Sequence, residues 1–138
     1  MTTAEGKRVV VFVCVKNAGR SQMAEAIFNR KAEGRMIGRS AGSAPADAVH
    51  PEVAEAMAEV GMDISAAKPK GLVPEVLEGA DYVVGMGCGD ECPHIPGAKR
   101  FEWDVADPAG LPLNEVRGIR QDISRQIDLL IAEMNAGG

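Results

Sequence analysis

Val9-Val10-Val11-Phe12-Val13-Cys14-Val15-Lys16-Asn17-Ala18-Gly19-Arg20-Ser21 runs from an unbroken apolar, β-branched segment into a short polar turn and then into helical spacing. Val9 to Val13 read as a strand buried on both faces, the pattern of a parallel sheet. Beyond the turn, Ser21 is placed to cap a helix whose Ala24, Ile27 and Phe28 share one face, and Gly34 is placed to stop it. Strand, turn and helix make one βα unit, which delivers Cys14 to the carboxyl edge of a sheet.

The same alternation continues outward. Met36 to Ala41 is a weaker strand candidate, followed by a loop from Gly42 to Asp47. Pro51 sits where helices start, with Val53, Met57 and Val60 at helical spacing and Gly61 as the stop. Pro74 to Glu78 reads as a short helix, Tyr82 to Met86 as a second buried strand, and Lys99 to Trp103 as the last strand. Asp104 to Pro112 is a Pro/Gly-rich loop. Val116, Ile119, Ile123, Ile127, Leu130 and Met134 form one apolar stripe of a long closing helix. These elements predict an α/β three-layer sandwich, a four-stranded, mainly parallel sheet with helices on both faces, as one domain over residues 1–138. In such folds ligands bind beyond the carboxyl ends of the strands. Cys14, Cys88 and the loop after Trp103 are therefore expected on one rim.

A net charge of −5 and a pI near 5.0 exclude nucleic acid and anionic membrane surfaces as partners, because the long-range field repels both. An anionic substrate must be won by local contacts. Lys7 and Arg8 before the apolar run resemble a signal peptide only faintly, since Lys16 and Arg20 follow at once. No apolar span reaches membrane length. Three cysteines are an odd number, so reactive or metal-binding roles are more credible than a disulfide framework, and a cytoplasmic location is expected.

The turn after the first strand has the chemistry of an oxyanion site. Five residues separate Cys14 from Arg20, which lets the backbone N–H groups of Val15, Lys16, Asn17, Ala18 and Gly19 curl around one tetrahedral anion. Arg20 closes the rim with a planar fork of donors that matches two anion oxygens at once. Converging N–H groups, a helix N-terminus and a guanidinium favour thiolate over thiol at Cys14. The Ser21 hydroxyl is placed to donate to that thiolate as well as to cap the helix. A thiolate beneath a bound oxyanion implies attack on its central atom.

Two further sets of residues are open to more than one reading. Cys88 and Cys92, followed by Pro93 and His94, can be a redox pair that couples after local rearrangement. They can equally be metal ligands with His94 and Cys14, or inert small apolar residues. Asp107, in Asp107-Pro108-Ala109-Gly110, is a turn former and also the best-placed proton donor opposite the nucleophile. His50, just before Pro51, reads as a cap or surface residue, and neither it nor His94 is assigned a catalytic role.

With the Cys14 to Ser21 loop, Asp107-Pro108 and the α/β pattern in hand, the chain resembles the low-molecular-weight protein tyrosine phosphatase superfamily over nearly its full length. Within it, the resemblance is to the arsenate reductases coupled to thioredoxin. Asn17 matches an Asn three residues after their nucleophile, Asp107 to Gly110 match an Asp-Pro-Ala-Gly acid loop, and Cys88 and Cys92-Pro93 match two later cysteines. Ala109 and Gly110 stand where tyrosine phosphatases of this superfamily carry aromatic residues. Two departures are the short segment between Cys88 and Cys92 and Gly19, where some of these enzymes have another cysteine. Similarly shortened segments occur in actinobacterial relatives, some of which use mycothiol as the attacking thiol.

The resemblance implies a cytoplasmic, monomeric enzyme of arsenical detoxification that reduces arsenate to arsenite. Cys14, Arg20, Ser21, Asp107, Cys88 and Cys92 are its implied catalytic residues, and Val15 to Arg20 its substrate contacts. Thioredoxin, or mycothiol with mycoredoxin, is the implied external reductant, with no bound organic cofactor. Asn17, Glu25, Ser40 and Asp63 match a potassium-binding set, oxygen-bearing types that suit a hard cation. The alternative within the superfamily is a tyrosine phosphatase acting through a phosphocysteine.

Overall fold

The computed structural model describes residues 7–87 and 94–136. Its centre is a four-stranded sheet of β1 (Val9–Cys14), β2 (Ile37–Gly42), β3 (Tyr82–Gly85) and β4 (Lys99–Glu102), in the order β2-β1-β3-β4. All three pairings are parallel. The connections are α1 (Arg20–Ala32), α2 (Pro51–Ala58) and α3 (Pro74–Leu77), and the 24-residue α4 (Leu113–Ala136) closes the chain.

β1 is buried along its whole length because it is a central strand covered on both faces. Alternation of side chains then assigns its residues to two cores. Val10, Phe12 and Cys14 face the larger one, shared with Met23, Phe28, Met57, Ile123 and Ile127. Phe12 sits edge-on to Phe28 at 5.6 Å, and Trp103 approaches it at 5.9 Å. Full burial of an apolar side chain of this size contributes about 1.5–3 kcal/mol. Val9, Val11 and Val13 face a thinner layer formed by Val76, Ala80 and Val83, with Leu72 and Ile95 packed at its edge. Helices thus cover both faces of the sheet, although among the described residues the second layer holds only the four-residue α3. The Asp81 carboxylate accepts the Val9 N–H at 2.8 Å and fixes where β1 begins beside β3.

Two expected boundaries are corrected. α2 ends at Ala58, so Val60 lies in the turn after the helix and is 37% exposed rather than on the buried face. The chain is reversed there by Gly61 at φ +81°, a conformation natural to glycine. α1 starts at Arg20, with Gly19 at the cap position and no side-chain capping bond, so Ser21 is not the cap.

β1 lies between β2 and β3, where the chain first winds to one side of the sheet and then to the other. That is the switch point at which parallel sheets open a crevice beyond their carboxyl ends. Cys14 stands at it.

Candidate active site

The turn between β1 and α1 is built around Asn17, which holds a left-handed conformation (φ +51°) that asparagine tolerates better than most residues. This kink aims the Asn17 N–H at Cys14 Sγ, 3.3 Å away. The Asn17 Nδ2 donates to Ser21 Oγ at 2.7 Å, and Ser21 Oγ lies 2.9 Å from Cys14 Sγ. Since Oγ already accepts from Asn17, its own proton is free to point at the sulfur. Cys14 is only 2% exposed, so the sulfur forms the floor of the turn with two donors converging on it.

Three elements press the turn into shape from behind. Gln22 Nε2 donates to Asn17 Oδ1 at 3.1 Å, and the Lys70 backbone N–H donates to the same oxygen at 2.7 Å. Gly42 ends β2 so close to the turn that a Cβ there would lie 2.5 Å from the Val15 carbonyl oxygen and 2.8 Å from the Asn17 nitrogen. Only glycine permits that approach.

The rim comes from the loop after β4. Arg20 Nη1 donates to the Val105 carbonyl at 3.4 Å, and Nη2 lies 3.8 Å from Asp107 Oδ2. Asp107 is exposed, and its Oδ1 accepts the Ala109 N–H at 3.0 Å, so it is the turn former read from Asp-Pro and also a free-facing carboxyl at the rim. Pro108 is buried against Gly19, where a Cβ would meet Pro108 Cγ at 2.7 Å. The nucleophile turn and the acid loop are thereby packed directly onto each other.

Cys14, Val15, Lys16, Gly19, Arg20, Asp107 and His50 line one recess of about 140 Å³. Larger recesses exist elsewhere, of about 300 and 540 Å³. The first is lined by Ile27, Val60 and Met62 beside cations already bonded to carbonyls or carboxylates, and neither is lined by a cysteine among the described residues. A tetrahedral anion needs a small, donor-lined site, and the Cys14 recess supplies one with a sulfur at its floor.

His50 takes the cap position read from sequence and does more besides. It does occupy the cap position of α2 without a side-chain capping bond, but its N–H donates to the Ala18 carbonyl at 3.0 Å and it lines the recess. The available signal was topological: His50 follows β2, and all parallel strands open onto the same rim. Gln22, Lys70 and Pro108 were also missed, because each acts through a contact that local spacing does not announce.

The four residues of the implied cation set each have hydrogen-bond partners. Ser40 donates to Glu25 Oε1, and Asn17 Oδ1 is occupied by its two donors. Asp63 is exposed and turns its carboxylate onto the Ser65 N–H and hydroxyl, at 3.0 and 2.7 Å. Those bonds hold its pKa below the usual value of 3.8. Cys88 and Cys92 lie outside the described residues. Gly87, at φ +94°, is close to Arg20: a Cβ there would lie 2.6 Å from Nη1. His94 is exposed, and among the described residues no three His, Cys, Asp or Glu side chains are grouped to hold a metal ion. No described helix is long and apolar enough to cross a membrane.

Residues 9–137 match the family model of low molecular weight phosphotyrosine protein phosphatases. Arsenate reductase 2 of Staphylococcus haemolyticus is 36% identical over 126 residues, covering 88% of this chain and 95% of that protein. Among solved structures, a thioredoxin-dependent arsenate reductase of Corynebacterium glutamicum superposes with a TM-score of 0.84 at 38% identity. The match covers 98% of this chain but only 65% of that one. The low molecular weight protein tyrosine phosphatase of T. tengcongensis superposes with a TM-score of 0.81 at 33% identity, covering 92% of this chain and 99% of its own. With its nucleophile turn, its all-parallel sheet and a match along almost its entire length, the chain belongs to the low-molecular-weight phosphotyrosine protein phosphatase family.

Proposed function

We propose that this protein reduces arsenate to arsenite through a covalent adduct on Cys14. The observation that carries the reading is a small recess with a buried sulfur at its floor and Arg20 and Asp107 at its rim. No Phe, Tyr or Trp side chain lines it among the described residues. Such a site suits a bare tetrahedral oxyanion better than a phenyl ester, whose ring needs an apolar wall. The likeness to proteins named arsenate reductases supports the same choice.

In the proposed sequence, arsenate is held by the N–H groups of the turn and by Arg20, with Lys16 adding attraction from the rim. The Cys14 thiolate attacks arsenic and Asp107 protonates the departing oxygen, which leaves as water. The Cys88 thiolate then attacks Cys14 Sγ. The electron pair of the S–As bond passes to arsenic, arsenite departs, and a Cys14–Cys88 disulfide remains. Cys92 next attacks Cys88, which restores the Cys14 thiolate and leaves a Cys88–Cys92 disulfide for an external dithiol such as thioredoxin. Where mycothiol is the reductant, its thiol attacks arsenic in place of any step at Cys88 and the Cys14 thiolate leaves; mycoredoxin then attacks the mycothiol sulfur, the electron pair of the S–As bond passes to arsenic, and arsenite departs with a mycoredoxin–mycothiol disulfide remaining.

The test is NADPH consumption with arsenate, thioredoxin and thioredoxin reductase, repeated with mycothiol and the mycoredoxin system. Turnover with thioredoxin that is lost in Cys14→Ser, Cys88→Ser and Cys92→Ser supports the three-cysteine relay. Turnover only with mycothiol, surviving loss of Cys88 and Cys92, makes the protein an arsenate–mycothiol transferase. Activity retained in Cys14→Ser would refute both. The likeness to the T. tengcongensis phosphatase supports a second reading, phosphate ester hydrolysis, whose signature is para-nitrophenyl phosphate turnover independent of Cys88 and Cys92 and silence with arsenate.

A further inference from the structure

Residues 68–70 cross behind the nucleophile turn and are bonded at three backbone points to the turn, to α1 after it and to the end of β2. Gln22 Nε2 donates to the Lys68 carbonyl at 3.4 Å, the Lys70 N–H donates to Asn17 Oδ1 at 2.7 Å, and the Lys70 carbonyl accepts the Gly42 N–H at 2.8 Å. The same lysine sends its side chain to Glu25. Nζ lies 3.4 Å from Glu25 Oε1, the oxygen that also accepts the Ser40 hydroxyl. Both charged side chains are partly covered, at 36% and 27% exposure.

The oxygens of the cation set implied by resemblance are already engaged on this geometry. Asn17 Oδ1 has spent its acceptor capacity on two N–H donors, Asp63 is exposed and engaged with Ser65, and the remaining carboxylate already has an ammonium against it. An ammonium is a compact monovalent charge on a flexible stem, and it neutralises a carboxylate as a bound potassium ion would. We propose that the Lys70 ammonium is the built-in cation of the Glu25–Ser40 carboxylate, so that this chain organises its oxyanion turn without drawing a potassium ion from solution. Lys70 is then a positioning residue on two counts. Its backbone fixes Asn17, which in turn holds Ser21 and Cys14, and its side chain cancels a negative charge that would otherwise stand behind an anion-binding site.

The test is independent of which oxyanion is turned over, because it reads only Cys14. Alkylation of Cys14 by iodoacetamide is followed in a protein whose Cys88 and Cys92 are replaced by Ser, with inorganic phosphate as the protecting anion. Thermal unfolding is recorded in parallel. In the chain with Lys70 intact, alkylation rate, half-protecting phosphate concentration and midpoint are expected to be the same in potassium chloride and tetramethylammonium chloride at equal ionic strength. Lys70→Met is expected to raise the half-protecting phosphate concentration about two- to fivefold, the worth of a partly exposed ion pair. Lys70→Arg, which returns the charge, is expected to restore it. Lys16, Arg20, His50 and Asp107 around the recess are unchanged in both variants. A potassium-specific gain in phosphate affinity or midpoint with Lys70 intact would overturn the proposal. So would a Lys70→Met protein that binds phosphate as before, or a loss that Lys70→Arg fails to repair.

Discussion

Replacing Gly19 by Ala puts one methyl group where the nucleophile turn and the acid loop meet. The new Cβ lies 2.7 Å from Pro108 Cγ and 3.4 Å from Cδ, with His50 Cδ2 at 3.5 Å on the other side. Carbon atoms in contact prefer about 3.5–4.0 Å, so Pro108 must withdraw by about 1 Å, and His50 leaves no room for the turn to withdraw instead. Asp107 is bonded in sequence to Pro108 and moves with it. A displacement of about 1 Å at a reacting group costs up to about 10²-fold in rate, while overpacking itself destabilises by about 1–3 kcal/mol. The expected phenotype is therefore a fall of about 10²-fold in kcat/KM with a modestly lowered unfolding midpoint. Cys14 alkylation is expected to stay close to wild type, because the contacts of Ser21 and Asn17 with the sulfur are untouched. The deciding assay is a double-mutant cycle with Asp107→Asn: if both changes act through the same proton donor, the double variant is no slower than Asp107→Asn alone. Near wild-type turnover in Gly19→Ala, or losses that multiply in the cycle, would refute the reasoning.

Asp107→Ala is expected to slow the chemical step by about 10²–10⁴-fold, as for other general acids, and to remove the fall in rate on the high-pH side of the pH–rate profile; an unchanged profile would argue against the assignment. Ser21→Ala removes one of two donors converging on Cys14 Sγ, and alkylation of Cys14 at neutral pH is expected to slow about tenfold, the worth of a hydrogen bond to a charged group. Far from the site, Arg117 and then Arg120 hold the Glu59 carboxyl well below its ordinary 4.5, at about 2. Its stabilising contribution is complete above pH 4.5 and is lost as pH falls toward 2, where the unfolded chain binds the proton and the folded one does not. Urea midpoints of Glu59→Gln are expected to lie below wild type by a constant amount above pH 4.5, and the gap to close at more acid pH; a gap that persists at the acid end would contradict the linkage.

What could be read from the chain alone was whatever repeats locally. The apolar run of β1, the six-residue apolar stripe of α4 and the Cys14 to Arg20 spacing each carry their own periodicity or geometry. Parallel topology then follows from short alternating elements, and with it the convergence of Cys14 and Asp107 on one rim. Tertiary structure alone decided where the polar side chains go. Ser21 could cap a helix or face a sulfur with equal local plausibility, and the sulfur prevails because Asn17, kinked and held by Gln22 and Lys70, brings its own amide to the same hydroxyl. Lys70 is 53 residues from the asparagine it supports, Pro108 packs on a glycine of a different loop, and His50 reaches the rim because β2 lies beside β1. Such contacts leave no local pattern, since hydrogen bonds and close packing depend on atoms meeting in space, and only the assembled sheet brings these segments together.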